Sequence, residues 1–258
     1  MTAPGTTVVT GAAKGIGRAV SERLVADGHT VIAVDLDVDA LGSLCEHLGP
    51  AVVPITGDVA LWETHERAAG EALATGKITG WVNNAGVDWP AAAHDVTAEQ
   101  IEQGVRLLQL SAMYGAAVAV RSMLPARQGS IVNVSSIQAV ASFPGYYVYA
   151  AAKAAIIMAT KSIAVDYGPY GIRANVVLPG CIETPMTLAT LPPDMDPAEA
   201  LRAEGELAPL NRVGQASEVA EVVSFALSDR GAYVTGAELV VDGGAIARCH
   251  RYPPPELG

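Results

Sequence analysis

Ser136, Tyr149 and Lys153 have the residue types and spacing of an acid–base site. Tyr149 and Lys153 are four apart, so on a helix they share one face. An ammonium beside a phenol favours the phenolate, which predicts a Tyr149 pKa below the ordinary value of about 10. A phenol tuned in that way gives and takes protons near neutrality. Ser136 follows a β-branched apolar run at 130–134, where its hydroxyl is placed to hold a substrate oxygen. A Tyr/Lys pair alone is common on exposed helix faces. The Ser135-Ser136 that closes the preceding strand is what gives this pair weight.

A second constellation lies at the start of the chain. Thr10-Gly11-Ala12-Ala13-Lys14-Gly15-Ile16-Gly17 joins an apolar strand to an amphipathic helix. Glycines there permit a tight turn and let a pyrophosphate approach the backbone, while the helix N-terminus offers free N–H groups. Asp35 stands eighteen residues after Gly17, at the end of the second apolar run, where a carboxylate accepts from a ribose diol and repels a 2′-phosphate. The next residue, Leu36, adds no base at that edge. Lys14 argues the other way, because a base beside the second glycine attracts a 2′-phosphate. Asp35 carries more weight, so the residues point to NAD, with NADP as the alternative.

The elements that must position these residues alternate along the chain. Strands are expected at 6–10, 30–34, 51–56, 80–82, 130–134, 172–178 and 238–241. Helices are expected at 15–27, 37–48, 61–75, 97–126 and 149–167. The strands are nearly all apolar, as strands covered on both faces must be. Strand–helix alternation implies parallel pairing by right-handed crossovers, and hence a doubly wound α/β fold of about seven strands. With no break in composition, the 258 residues read as a single domain. The segment 184–212, rich in Pro, Met and Glu, reads as an insertion with a short helix that closes the site as a lid. Residues 245–258, with Pro253, Pro254 and Pro255, read as a tail.

Composition narrows the function. Half of the residues are hydrophobic, 17% are charged, and the formal net charge is −11. Such an acidic surface disfavours nucleic acid and anionic membranes. The three cysteines, Cys45, Cys181 and Cys249, fit neither a zinc pattern nor a disulfide framework, so no metal is expected and the cytoplasm is the expected compartment. The N-terminus lacks the pattern of a signal peptide, and the apolar run 112–120 is short for a bilayer.

Taken in order, the motifs resemble those of the short-chain dehydrogenase/reductase family. They are the glycine loop, Asp58-Val59, Asn83-Asn84-Ala85-Gly86, Ser136, Tyr149-Ala150-Ala151-Ala152-Lys153, Pro179-Gly180 with Thr184-Pro185-Met186, and Val241-Asp242-Gly243-Gly244. The resemblance implies a Rossmann fold and hydride exchange between nicotinamide and an alcohol or carbonyl carbon. Asp58 and Val59 would then hold the adenine. Asn84, Ala85 and Gly86 would line the cofactor trough, with Pro179 and Gly180 beside it, and Ile182 and Thr184 would meet the nicotinamide amide. Tyr149 would move the proton, Lys153 would bind the nicotinamide ribose, and Ser136 would polarise the substrate oxygen. The family usually carries a proton-relay asparagine on the long helix after the fourth strand, and Gln109 most nearly fills that place. A small substrate, hydroxylated or cyclic, would meet Asp88, Trp89, Gln138, Tyr146 and Met186. The family also pairs the helices here at 97–126 and 149–167, which implies a homotetramer, with Ala112, Ala116, Ala117 and Ala119 leaving room for close contact. Two alternatives stay open: an NADPH-dependent biosynthetic ketoreductase, and a cofactor-binding regulatory protein with little turnover.

Overall fold

The computed structural model describes residues 5–248. Strands β1 (Thr6–Thr10), β2 (Thr30–Asp35), β3 (Val52–Thr56), β4 (Ile78–Asn83), β5 (Gly129–Val134), β6 (Ile172–Pro179) and β9 (Glu238–Val241) form one sheet, while β7 (Ile182–Glu183) and β8 (Gly214–Gln215) pair separately. The helices are α1 (Gly15–Ala26), α2 (Val38–Leu48), α3 (Trp62–Thr75), α4 (Ala98–Gly104), α5 (Ser111–Met123), α6 (Tyr147–Tyr167), α7 (Pro185–Ala189), α8 (Pro197–Gly205) and α9 (Ala216–Leu227).

The seven strands run in the order β3-β2-β1-β4-β5-β6-β9, and every pairing is parallel. The order reverses between β1 and β4, which leaves a crevice at their C-terminal ends. Alternate residues of each strand feed two cores. Val8, Ile32, Trp81 and Ile131 pack with Ala68, Ala72, Ala119 and Met123 of α3 and α5. On the other face Val9, Val31, Val82 and Val132 pack with Val20, Leu24, Leu41 and Val223 of α1, α2 and α9.

Local signals set the helix starts. Asp37 caps α2 by accepting from Ala40 N at 2.9 Å, and Thr97 and Gln100 form a capping box on α4. A chain of buried hydrogen bonds then fixes the helix that bears Tyr149 and Lys153. Trp81 Nε1 donates to Asn83 Oδ1 (2.9 Å), Asn83 Nδ2 to Asn133 Oδ1 (2.8 Å), and Asn133 Nδ2 to Thr160 Oγ1 of α6 (2.8 Å). Buried amides satisfied in this way specify one arrangement of β4, β5 and α6.

Three expectations needed correction. The helix 97–126 is interrupted: α4 and α5 are joined by a π-helical segment, Val105–Leu110, which carries Gln109. The insertion 184–212 holds two helices, α7 and α8, rather than one. Helix α9 has no counterpart among the expected helices, although Val219, Val223 and Ala226 recur at helical spacing and Gln215 with Glu218 forms a capping box. Residues 249–258, which include the three tail prolines and Cys249, lie outside the described residues.

Two stretches, Ala98–Ala126 and Tyr147–Tyr170, are long and apolar enough to cross a membrane by length and composition alone. In the structure they lie along the sheet, with Ala116, Ala119, Met123, Ile156 and Ile157 buried.

Candidate active site

The glycine loop rises from β1 and turns into α1. Gly15 has a φ of +52°, which a side chain strains to adopt. Gly17 is needed for proximity: a Cβ there would stand 1.9 Å from Gly11 O. Lys14, at the cap of α1, makes no side-chain hydrogen bond to the first turn, so the helix N–H groups are left for a ligand. Asn84 braces the loop from β4, donating Nδ2 to Thr10 O (3.0 Å) and Gly11 O (3.1 Å). It therefore ties strand ends together as well as lining the crevice.

Asp35 closes β2 with its carboxylate fixed by two backbone donors, Ala13 N at 3.0 Å and Asp37 N at 3.1 Å. Lys14 Nζ lies 2.5 Å from Asp37 Oδ2, and this hydrogen bond and charge hold the lysine pKa above its ordinary value. Leu36 beside Asp35 is 64% exposed. Asp58 and Val59 follow β3 at the same edge. Gly57 N donates to Asp35 O (3.0 Å), Asp58 accepts from Ala60 N (2.8 Å), and Val59 is buried in the core.

The crevice opens into a cleft of about 830 Å³. Gly11, Lys14, Gly15, Ile16, Asn84, Ala85 and Gly86 line one part, and Pro179, Gly180, Ile182 and Thr184 another. Ser136, Tyr149 and Lys153 meet within it, as do Asp88, Gln138, Tyr146 and Met186. The structure therefore gathers residues from Gly11 to Leu207 around one cavity.

Trp89 and Gln109 fall outside that lining, and so do Gly17, Asp35, Leu36, Asp58 and Val59 of the glycine loop and the ends of β2 and β3. Trp89 packs on α4, its Nε1 2.9 Å from where a Cβ on Gly104 would sit. Gln109 Nε2 reaches only Met113 Sδ, at 3.8 Å on its own helix. The π-helical segment instead turns the buried Leu108 toward the lysine. A Cβ on Gly86 would lie 3.6 Å from Lys153 Nζ and 3.7 Å from Leu108 Cδ2. Sequence reasoning missed Phe143, Pro144, Cys181 and Glu204, which also line the cleft. Cys181 was within reach, lying between Gly180 and Ile182. Glu204 arrives from α8 and has no local signal.

The electrostatics reverse one expectation. Burial pushes the Tyr149 phenol up to about 12, and a hydrogen bond with Ser136 only partly opposes it. Burial also lowers Lys153 to about 8. Lys153 Nζ donates to Val134 O at 3.2 Å and stands 5.6 Å from the Tyr149 ring centre. Desolvation dominates both shifts, disfavouring the phenolate and the ammonium alike. Ser135 Oγ, bonded to Lys153 O at 2.7 Å, holds this turn of α6 against β5.

A short-chain dehydrogenase profile, described as enoyl-(acyl carrier protein) reductase, matches residues 11–245. The chain belongs to the short-chain dehydrogenase/reductase family. It is 35% identical to the 3-oxoacyl-[acyl-carrier-protein] reductase FabG of Thermotoga maritima, covering 93% of this chain and 96% of that one. It is also 35% identical to carbonyl reductase [NADPH] 2 of Sus scrofa, over 93% and 96% of the two chains. The crystal structure of levodione reductase superposes with a TM-score of 0.89 at 30% identity, covering 94% of this chain and 98% of that one. The short-chain dehydrogenase/reductase described here is thus an oxidoreductase with the family's Rossmann fold, and its relatives act on alcohols and ketones.

Proposed function

We propose that this oxidoreductase uses NAD(H) to interconvert a small polar or cyclic secondary alcohol and its ketone, with Tyr149 as general acid and base. The observation that carries the cofactor choice is the Asp35 carboxylate, held by Ala13 N and Asp37 N at the end of β2. Lys14, the one feature that spoke for a 2′-phosphate, is bound by Asp37, so that edge presents anionic groups to a ribose.

The residues fit a dinucleotide. The positive φ of Gly15, the close approach at Gly17 and the uncapped α1 N-terminus make a cradle for a pyrophosphate. Asp58 and Val59 would border the adenine, Asn84 to Gly86 the trough, and Ile182 and Thr184 the amide of the nicotinamide. When bound, the nicotinamide supplies or accepts the hydride. Ser136 holds the substrate oxygen. Tyr149 Oη gives that oxygen a proton in reduction and takes it in oxidation. Lys153 holds the nicotinamide ribose, and its ammonium supports negative charge on Tyr149 once the site is filled. The segment 184–212 acts as the lid, with Met186, Thr190, Leu191 and Leu207 over the cleft excluding water.

Titration of the protein with NADH and NADPH tests this reading. NADH is expected to bind more tightly, by about tenfold or more, the cost of setting a 2′-phosphate against Asp35. Asp35→Ala with Leu36→Arg is expected to reverse the order. Tighter NADPH binding by the unchanged protein would establish the second reading, a reductase like the carbonyl reductase whose name carries NADPH.

The reading extends to a cytoplasmic homotetramer built on α5 and α6. Ala112, Ala116 and Ala119 are buried by the protein's own core and so are not free for a partner. Met113 (40% exposed), Met158 (65%) and Val165 (75%) form the outer apolar positions of these helices. Light scattering at micromolar concentration is expected to give a tetramer, and Met158→Glu with Val165→Glu a smaller species. A monomeric parent protein would remove the proposal.

A further inference from the structure

The part of the cleft lined by Asp88, Gln138, Tyr146, Cys181 and Glu204 is rich in acceptors and carries two carboxylates. Asp88 Oδ2 accepts from Tyr146 OH at 3.3 Å, and the Tyr146 ring stands edge-on to the Tyr149 ring at 5.8 Å. Asp88 is thus one aromatic ring away from the acid–base phenol. Glu204, from α8 in the lid segment, is close enough for its charge to act on both Tyr146 and Cys181. Gln138 adds a third acceptor, a buried Oε1 with no hydrogen-bond partner among the described residues.

Among the described residues, no cation answers these two charges. Among the described residues, the basic ones lining the cleft are Lys14 and Lys153. Lys14 is held by Asp37 at the ribose edge, and Lys153 is buried with its ammonium on Val134 O. Among the described residues, neither Asp88 nor Glu204 has a lysine, arginine or histidine nitrogen within 4.0 Å. A carboxylate drawn partly out of water without a counter-charge is compensated when a ligand brings one. A neutral polyol would satisfy the hydrogen bonds but leave both charges without a counter-charge. An anionic substrate would meet like charge at the cleft and the net −11 of the whole chain.

We infer that the substrate of this site is a secondary alcohol, or the matching ketone, bearing a protonated amine whose ammonium is held by Asp88 and Glu204, with one N–H given to Gln138. The inference rests on the alcohol/ketone chemistry proposed at Tyr149. The amine takes no part in the transfer: the carbinol carbon yields the hydride, Tyr149 Oη takes the hydroxyl proton, and the ammonium fixes the distance between them.

Three alcohols that share one carbinol and differ in the neighbouring group test the charge: isopropanolamine, propylene glycol and lactate. Each is assayed by the reduced-nicotinamide absorbance, and its binding to the NAD-loaded protein is measured by calorimetry. Isopropanolamine is expected to exceed propylene glycol by about tenfold or more in kcat/KM and in affinity, with lactate the weakest. That preference should shrink with added salt and vanish as the pH passes the pKa of the amine. Asp88→Asn and Glu204→Gln each keep the shape and remove one charge. Each is expected to lower the isopropanolamine-to-glycol ratio, and the double variant to bring it near one. Because the readout is a ratio, general damage to the site cancels. A parent enzyme that binds the glycol or lactate as tightly as the amine overturns the ammonium site. Preferential amine binding without turnover keeps the site and overturns the chemistry at Tyr149 instead.

Discussion

Tyr149→Phe is expected to lower kcat by about 10²–10⁴, the range that a positioned proton donor contributes. The ring would keep its edge-on packing against Tyr146 at 5.8 Å, so the fold and NADH binding should persist in thermal melts and titration. The direction of the pH dependence follows from burial. With the phenol pushed up to about 12, the acid form dominates through neutrality, and proton donation in ketone reduction should vary little between pH 6 and 9. Alcohol oxidation needs the phenolate, whose share grows about tenfold per pH unit below the pKa, so oxidation should climb with alkalinity. Lys153, lowered to about 8, loses its ammonium over the same range and will flatten the climb above that point. Steady-state assays in both directions decide the matter. A Phe variant that kept its parent's kcat would move the proton chemistry to another group.

Gly17→Ala is expected to be the most damaging single change to the cofactor cradle. Its Cβ would fall 1.9 Å from Gly11 O and 2.6 Å from Asn84 Nδ2, and the Gly11 backbone cannot move aside as a flexible side-chain end would. Overpacking of this kind costs about 1–3 kcal/mol. Relief by moving the loop would also displace the N–H groups of α1 from the pyrophosphate. The dissociation constant for NADH should rise by about tenfold or more, with a lower thermal midpoint. Alanine at Gly42, where nothing lies within 4 Å of the added carbon, serves as the control. NADH affinity equal to that of the parent would show that the dinucleotide lies elsewhere.

Much of the site was legible because its signals are local. The glycine loop needs only a strand, a turn and a helix in succession, and Asp35 follows from the length of that unit. Tyr149 and Lys153 share a face because the helix repeats every 3.6 residues, whatever surrounds them. The doubly wound sheet follows from apolar strands alternating with amphipathic helices, since that pattern is buried in few ways. In these respects the order of residues alone determined the family resemblance, the fold and the candidate set Ser136, Tyr149 and Lys153, which the structure brings to one cleft.

What the tertiary structure decided depends on packing from distant segments. Tyr149 next to Lys153 reads as an acidified phenol. Burial among β5, the β4 loop and the segment after β6 makes it the reverse, because desolvation is a property of everything around a group and not of its neighbour in sequence. Lys14 reads as a phosphate ligand until Asp37, across the turn after β2, takes its charge. Gln109 most nearly fills the family's asparagine position along the chain, yet it lies in a π-helical segment and it is Leu108 that stands near Gly86 beside the lysine. Trp89 reads as a substrate contact beside Asp88, but the small Gly104 lets α4 approach and claim the ring. Glu204 reads as one more surface acid, and only the course of the chain through α7 and α8 sets it over the cleft. The protein's chemistry was written in local spacing, whereas its charge states and the walls of its substrate pocket were set by elements that meet only when the chain has folded.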